Sequence, residues 1–231
     1  MPRLLDLFSG RWGWSRAFAA RGWHCVGIDL VAPPEIPENC HFIQADILNL
    51  EWQCDGFLCA NDGYNTPVTD RIDFICASSP CEEFSVWGMA NFHPNPEYPE
   101  FGIKLFNHTR AICEGSGLGY VMENVRPAEK FVGIADNHCG PFYLWGNAVP
   151  PILPQGIKKG FKMGTGTQAR AFKERGDKRG LIEWRKKMDC WHASGSPKRI
   201  ANTAKVATIP PELANCVADY AERLLEQKVT A

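Results

Sequence analysis

Arg3-Leu4-Leu5-Asp6-Leu7-Phe8-Ser9-Gly10-Arg11-Trp12-Gly13-Trp14 is the stretch that decides the fold class. It opens as a short apolar run, is broken by two glycines, and continues from Trp14 to Arg21 as a helix that Gly22 stops. A strand, a glycine turn and a helix in that order let the backbone approach a ligand and leave helix N–H groups free to meet it. An acid at the end of the next strand can then hydrogen-bond a ribose diol. Asp29 lies 19 residues after Gly10, near the ~20 that this geometry uses. The spacing is not G-x-G-x-x-G, so a nucleoside cofactor and a purely structural turn both remain open on these residues alone.

Working outward, His24 to Leu30 reads as a second strand, His41 to Asp46 as a third, Asp73 to Ala77 as a fourth and Leu118 to Glu123 as a fifth. Phe101 to Cys113 reads as a helix before the last of these, and Pro210-Pro211 opens a final helix to about Gln227, with Leu213, Val217, Tyr220 or Ala221, and Leu224 as its apolar stripe. Strands separated by helix-length segments imply crossover units. The expected fold is α/β: a Rossmann-like, doubly wound, mostly parallel sheet with a small loop-rich subdomain. Residues 1–135 and 205–231 are assigned to the sheet domain. Residues 136–204, where Gly, Pro and charge dominate around anchors such as Phe142-Tyr143-Leu144-Trp145, are assigned to the subdomain.

The chain has 231 residues, 45% apolar and 22% charged. These are ordinary globular proportions, which exclude collagen-like, coiled-coil and fully disordered chains. No run of ~18 apolar residues occurs and MPRLLDLFSG lacks the marks of a signal peptide, so a soluble, cytoplasmic protein with no membrane partner is expected. Ten cysteines are scattered without C-x-x-C spacing. Buried thiols are therefore expected, and no metal site. The net charge of −1 hides an asymmetry. Ile157 to Lys205 holds 14 Lys and Arg against 4 acids, a charge of +10, leaving −11 elsewhere. An acidic body with a basic segment suits a polyanion partner, although a solvated charged face has the same composition.

Three further groups carry chemistry. Asp46 ends the third strand, where it can accept from an adenine amino group or form a turn. Ser79-Pro80-Cys81-Glu82-Glu83-Phe84-Ser85 follows the fourth strand, at the sheet edge where ligands of open parallel sheets bind. A cysteine there is either a nucleophile or a structural thiol. Met122-Glu123-Asn124-Val125-Arg126 follows the fifth strand, so Glu123 offers a carboxylic acid on the same rim if strands four and five are neighbours.

Taken together, these residues resemble the cytosine carbon-5 DNA methyltransferases, with several motifs in family order. DLFSG with Gly13 is similar to the first cofactor motif, Asp29 to the second and Ala45-Asp46 to the third. Pro80-Cys81 with Phe84-Ser85 is similar to the Pro-Cys-Gln-x-Phe-Ser motif, and Glu123-Asn124-Val125 to Glu-Asn-Val. Leu105-Phe106 with Arg110 resembles the helix between them. Asn215-Cys216-Val217 resembles the Gly-Asn-Ser-Val element that closes the cofactor pocket. The resemblance covers about residues 3–126 and the final helix.

The resemblance implies S-adenosyl-L-methionine as cofactor, held by Asp6, Phe8, Ser9, Gly10, Gly13, Asp29, Leu30, Asp46, Ile47, Pro80 and Asn215. It implies Cys81 as nucleophile, Glu123 as the acid at ring nitrogen 3 and Arg170 as a further contact to the base. Duplex DNA with a flipped cytosine is the implied partner of a monomer, gripped by Ser85, Arg126, Arg175, Lys178, Arg179, Arg185, Lys186, Lys187, Lys198 and Arg199. Gly88 to Pro99 would be the loop that closes over the base. A small, phage-type enzyme of restriction-modification kind fits the length. RNA, tRNA or single-stranded DNA as substrate, and a catalytically silent nucleic-acid-binding homologue, are the alternatives. Three departures stand out: Glu82 replaces the usual Gln, Trp12 and Trp14 flank the glycines, and Gln168-Ala169-Arg170-Ala171-Phe172 lacks the second Arg of Gln-x-Arg-x-Arg.

Overall fold

A computed structural model describes residues 1–53, 57–61, 68–69, 71–81, 84–85, 99–157, 174–180, 183 and 208–230. The main sheet is built from β1 (Arg3–Leu7), β2 (His24–Asp29), β3 (Cys40–Gln44), β6 (Phe74–Ser78), β7 (Gly119–Asn124), β8 (Asn137–Cys139) and β9 (Phe142–Trp145); β4 (Leu50–Trp52) and β5 (Leu58–Ala60) pair separately. The helices are α1 (Ser15–Ala19), α2 (Glu100–Gly115), α3 (Glu129–Val132) and α4 (Pro211–Thr230). The seven strands run in the order β3-β2-β1-β6-β7-β9-β8. All pairs are parallel except those made by β9. This is the doubly wound, mostly parallel α/β sheet expected from the alternation of strand and helix signals.

Both faces of the sheet are covered, which is why β1 is apolar on both sides. Leu4, Cys25, Phe74 and Val121 pack with Trp14 and Phe18 and with Leu213, Val217 and Ala221 of α4. Leu5, Leu7, Ile28, Ile75 and Met122 pack on the other face with Phe106 and Ile112 of α2. Of the two alternatives on the α4 stripe, the buried one is Ala221.

The chain winds outward from β1 to β3 and then returns to β6 on the other side of β1. The order therefore reverses between β1 and β6, and the carboxyl ends of these strands flank the crevice where such sheets take ligands. Two parts of the sequence expectation need correction. Residues 137–145 form β8 and β9 of the main sheet, so the compact units are Met1–Ile157 with Ile209–Ala231, and Lys158–Thr208. The connection from β3 to β6 contains the antiparallel pair β4-β5. Strands of three or four residues carry too few alternations to show a period.

Candidate functional site at the carboxyl edge

The glycine turn after β1 is moored to β2. Phe8 N and Ser9 N both donate to Ile28 O (2.9 and 3.2 Å). Gly10 N donates to Asp29 Oδ2 (3.0 Å), and Val31 N to Asp29 Oδ1 (3.3 Å). The Asp29 carboxylate thus organises both the turn and the exit of β2. The turn is so tight that Phe8 and Trp12 adopt φ of +63° and +61°, in the left-handed region that non-glycine residues seldom occupy. Trp12 slides beneath β2. A Cβ on Gly27 would lie 2.3 Å from its Cζ3 and 2.8 Å from Ser9 Cβ, so the bulky indole of this chain exists with the missing side chain opposite it. Trp12 Nε1 donates to Glu35 O (3.0 Å). Gly13 faces the segment entering α4: a Cβ there would come within 3.0 Å of Ile209 Cβ and N.

Asp6 lies beneath this turn at 1% exposure. Ser15 donates to its Oδ2 from both Oγ (2.6 Å) and N (3.2 Å). Burial pushes the carboxyl up to about 7, against the lowering effect of the two Ser15 bonds and with a further rise from Asp29. Among the described residues, Asp6 Oδ1 and Ser9 Oγ are buried side-chain atoms without a hydrogen-bond partner.

Beyond β2, Leu30 is 60% exposed next to the half-buried Asp29. Gln44 Nε2 holds the Leu30 carbonyl (2.9 Å). Asp46 caps the short turn Ile47–Asn49 by accepting from Leu48 N (3.0 Å), with Ile47 buried behind it. The turn-forming role open to Asp46 is therefore realised by one of its oxygens.

On the other side of the switch point, β6 and β7 are neighbours, with Ser78 paired to Glu123. The condition for Cys81 and Glu123 sharing one rim is met at the level of strand order: Cys81 is three residues beyond Ser78, and Glu123 is buried near the end of β7. Asn124, wholly buried, donates through Nδ2 to Ser79 O (3.1 Å) and Ser79 Oγ (3.0 Å) and accepts from Val125 N (2.8 Å). Pro80 is exposed, Cys81 is half-buried, and Ser85 N donates to Cys81 O (2.8 Å). Phe84 anchors the segment against Phe131, with centroids 6.1 Å apart. Arg126 is exposed at the start of the turn after β7. On α2, the Arg110 guanidinium covers the Phe106 ring at 4.9 Å and bonds Val132 O.

Asn215 lies near the start of α4 and is half-buried. Its Oδ1 accepts from Arg21 Nη1 (2.5 Å), while the same guanidinium bonds Asp219 and Ala17 O; Ile209 is the residue that reaches Gly13. Arg175, Lys178 and Arg179 are exposed, with Arg179 3.4 Å from Glu183. Arg170, Arg185, Lys186, Lys187, Lys198, Arg199, Glu82 and the segment from Gly88 to Tyr98 lie outside the described residues. Among the described residues no group of three or more His, Cys, Asp or Glu could hold a metal ion, and no helix is long and apolar enough to cross a membrane.

Sequence reasoning passed over Ser15, Gly27, Ser78 and Asn124 as partners of the site. Their partners are 9, 15, 64 and 45 residues away, and no motif spacing announces such pairs.

No family model and no curated protein matches the chain. Solved structures with a similar course include a DNA modification methyltransferase encoded within an E. coli prophage (20% identity, TM-score 0.37, over 58% of this chain and 35% of that one). They also include the glycopeptide N-methyltransferase MtfA (15%, 0.27, 53% and 46%) and the antibiotic-resistance methyltransferase Kmr (14%, 0.28, 54% and 59%). The chain thus spans about a third of the length of the first and about half to three fifths of the others.

Proposed function

We propose that the protein transfers a methyl group from S-adenosylmethionine to carbon 5 of a flipped-out cytosine in DNA. The observation that carries this reading is the rim formed by neighbouring strands β6 and β7, with Pro80-Cys81 just beyond one and Glu123 near the end of the other, beside the glycine turn at the switch point.

The turn suits a nucleoside cofactor. Asp29 offers carboxylate oxygens to a diol, the exposed Leu30 and half-buried Phe8 offer apolar surface to a flat base, and the buried, unpartnered Asp6 Oδ1 and Ser9 Oγ mark polar capacity under the glycines. When bound, S-adenosylmethionine supplies an electrophilic methyl group; MtfA has been crystallised with it. The chain's own task is to make carbon 5 nucleophilic. The Cys81 thiolate adds to carbon 6, the carbon 5–carbon 6 π pair moves to form a carbon 4–carbon 5 double bond, and the carbon 4–nitrogen 3 π pair moves onto nitrogen 3 and takes the proton that Glu123 donates, leaving an enamine. After carbon 5 has gained its substituent, a base takes the carbon-5 proton, that C–H pair re-forms the carbon 5–carbon 6 double bond as Cys81 leaves as thiolate, and nitrogen 3 returns its proton to Glu123. The base must be out of the stack for this to occur, and the basic segment would hold the phosphates.

Incubation with tritiated S-adenosylmethionine and duplex DNA is expected to label carbon 5 of cytosine, and Cys81→Ala to abolish labelling. Retained labelling in that variant, or label at another atom, overturns the mechanism. Parallel incubations with single strands and tRNA identify the nucleic acid.

A further inference from the structure

We propose that Trp14 is a positioning residue, which through Ser78 holds the Cys81 loop at a fixed place relative to the glycine turn; the inference rests on the reading of Cys81 as nucleophile. Trp14 follows Gly13 directly and is 1% exposed. Its indole Nε1, the side chain's single donor, reaches across from the β1 turn to Ser78 Oγ at 2.9 Å. Ser78 is the last residue of β6, where the sheet ladder ends.

Beyond that point the loop has two further fixings. Asn124 holds Ser79 through its carbonyl and hydroxyl, and Ser85 N holds the Cys81 carbonyl. Pro80 between them has its φ set by its ring. The loop is thus tied to the cofactor turn by Trp14 and to the Glu123 strand by Asn124. Apolar packing alone would bury an aromatic side chain here as well, since Trp14 already sits among Leu4, Phe18 and Leu213. What the indole N–H adds is a directional bond to the last residue of β6, from which the loop springs. A part-buried bond of this kind fixes distance, and removing one partner leaves the other without it. Displacing a reacting group by ~1 Å costs on the order of 100-fold in rate.

The test compares Trp14→Phe, which keeps the aromatic bulk and removes the donor, with Ser78→Ala and Ser78→Thr. Three quantities are read: kcat and KM for the methyl donor, the rate of covalent adduct formation with DNA containing 5-fluorocytosine, and the urea midpoint. Trp14→Phe and Ser78→Ala are expected to slow adduct formation and kcat by about 10- to 100-fold, with KM for the donor little changed. The double variant should lose no more than either single one, and Ser78→Thr should restore the rate. Wild-type adduct rates in both single variants, or losses that multiply in the double variant, overturn the proposal. A wild-type protein that forms no adduct overturns the nucleophile reading itself, a result recognisable before any variant is made.

Discussion

Asp6 is a carboxyl whose burial outweighs its two hydrogen bonds from Ser15, and that balance has a direction in pH. Its folded value near 7 lies above the ordinary 3.8, so the folded state binds the proton more tightly than the unfolded one. Stability from this group is full below about pH 4 and is lost as pH rises through about 7, by about 4 kcal/mol at ~1.4 kcal/mol per unit. Asp6→Asn, which stays neutral and keeps an acceptor for Ser15, should remove that slope. Urea denaturation from pH 4 to 8 should show the wild type losing ground steadily against the variant, and a constant gap would mean that the carboxyl is ionised throughout. At Gly27 the expected effect is steric. Gly27→Ala meets Trp12 at 2.3 Å and should cost about 1–3 kcal/mol. Adding Trp12→Phe should recover part of that loss, and strictly additive losses would show that the two do not share the space.

Helix α4 returns the end of the chain to the sheet, and its attachment is specific as well as apolar. Leu213, Val217 and Ala221 fill the face toward α1 and β7. Arg21 binds Asn215, Asp219 and Ala17 O at once, and Trp23 Nε1 reaches Glu222 (3.2 Å). The Asp219 arm is more than half exposed and contributes little; the bond to Asn215 is partly buried and contributes more. Asn215→Ala should therefore lower stability by about 1 kcal/mol, read from the urea midpoint. An unchanged midpoint would show that the Arg21 bond contributes nothing, and a raised KM for the methyl donor would support the place in the cofactor pocket that the family motif implies. Ile209, at the mouth of α4, is the residue of this segment that reaches the glycine turn. The motif was legible in the sequence, whereas the side chain that meets the turn was set by how the helix packs.

At the scale of the whole molecule, a basic window of +10 and a remainder of −11 nearly cancel, so net charge is a poor guide to the partner. If the window holds phosphates, replacing Arg185, Lys186 and Lys187 together by alanine should flatten the plot of log K against log salt by about 0.9 for each phosphate no longer neutralised. An unchanged slope in a DNA-binding titration would assign the grip to other residues. The sequence by itself determined the α/β class, the five parallel strands and three main helices, and the glycine turn with the Cys81 and Glu123 motifs. Apolar runs bounded by Gly and Pro, and short motifs, are local properties that survive in one dimension. The tertiary structure decided the strand order, the inclusion of β8 and β9 in the sheet, and every partner of the site: Ser15 on Asp6, Gly27 opposite Trp12, Ser78 on Trp14, Asn124 on Ser79. Each of these pairs joins segments brought together by packing, and a buried polar atom finds its partner by proximity in the folded core rather than by distance along the chain.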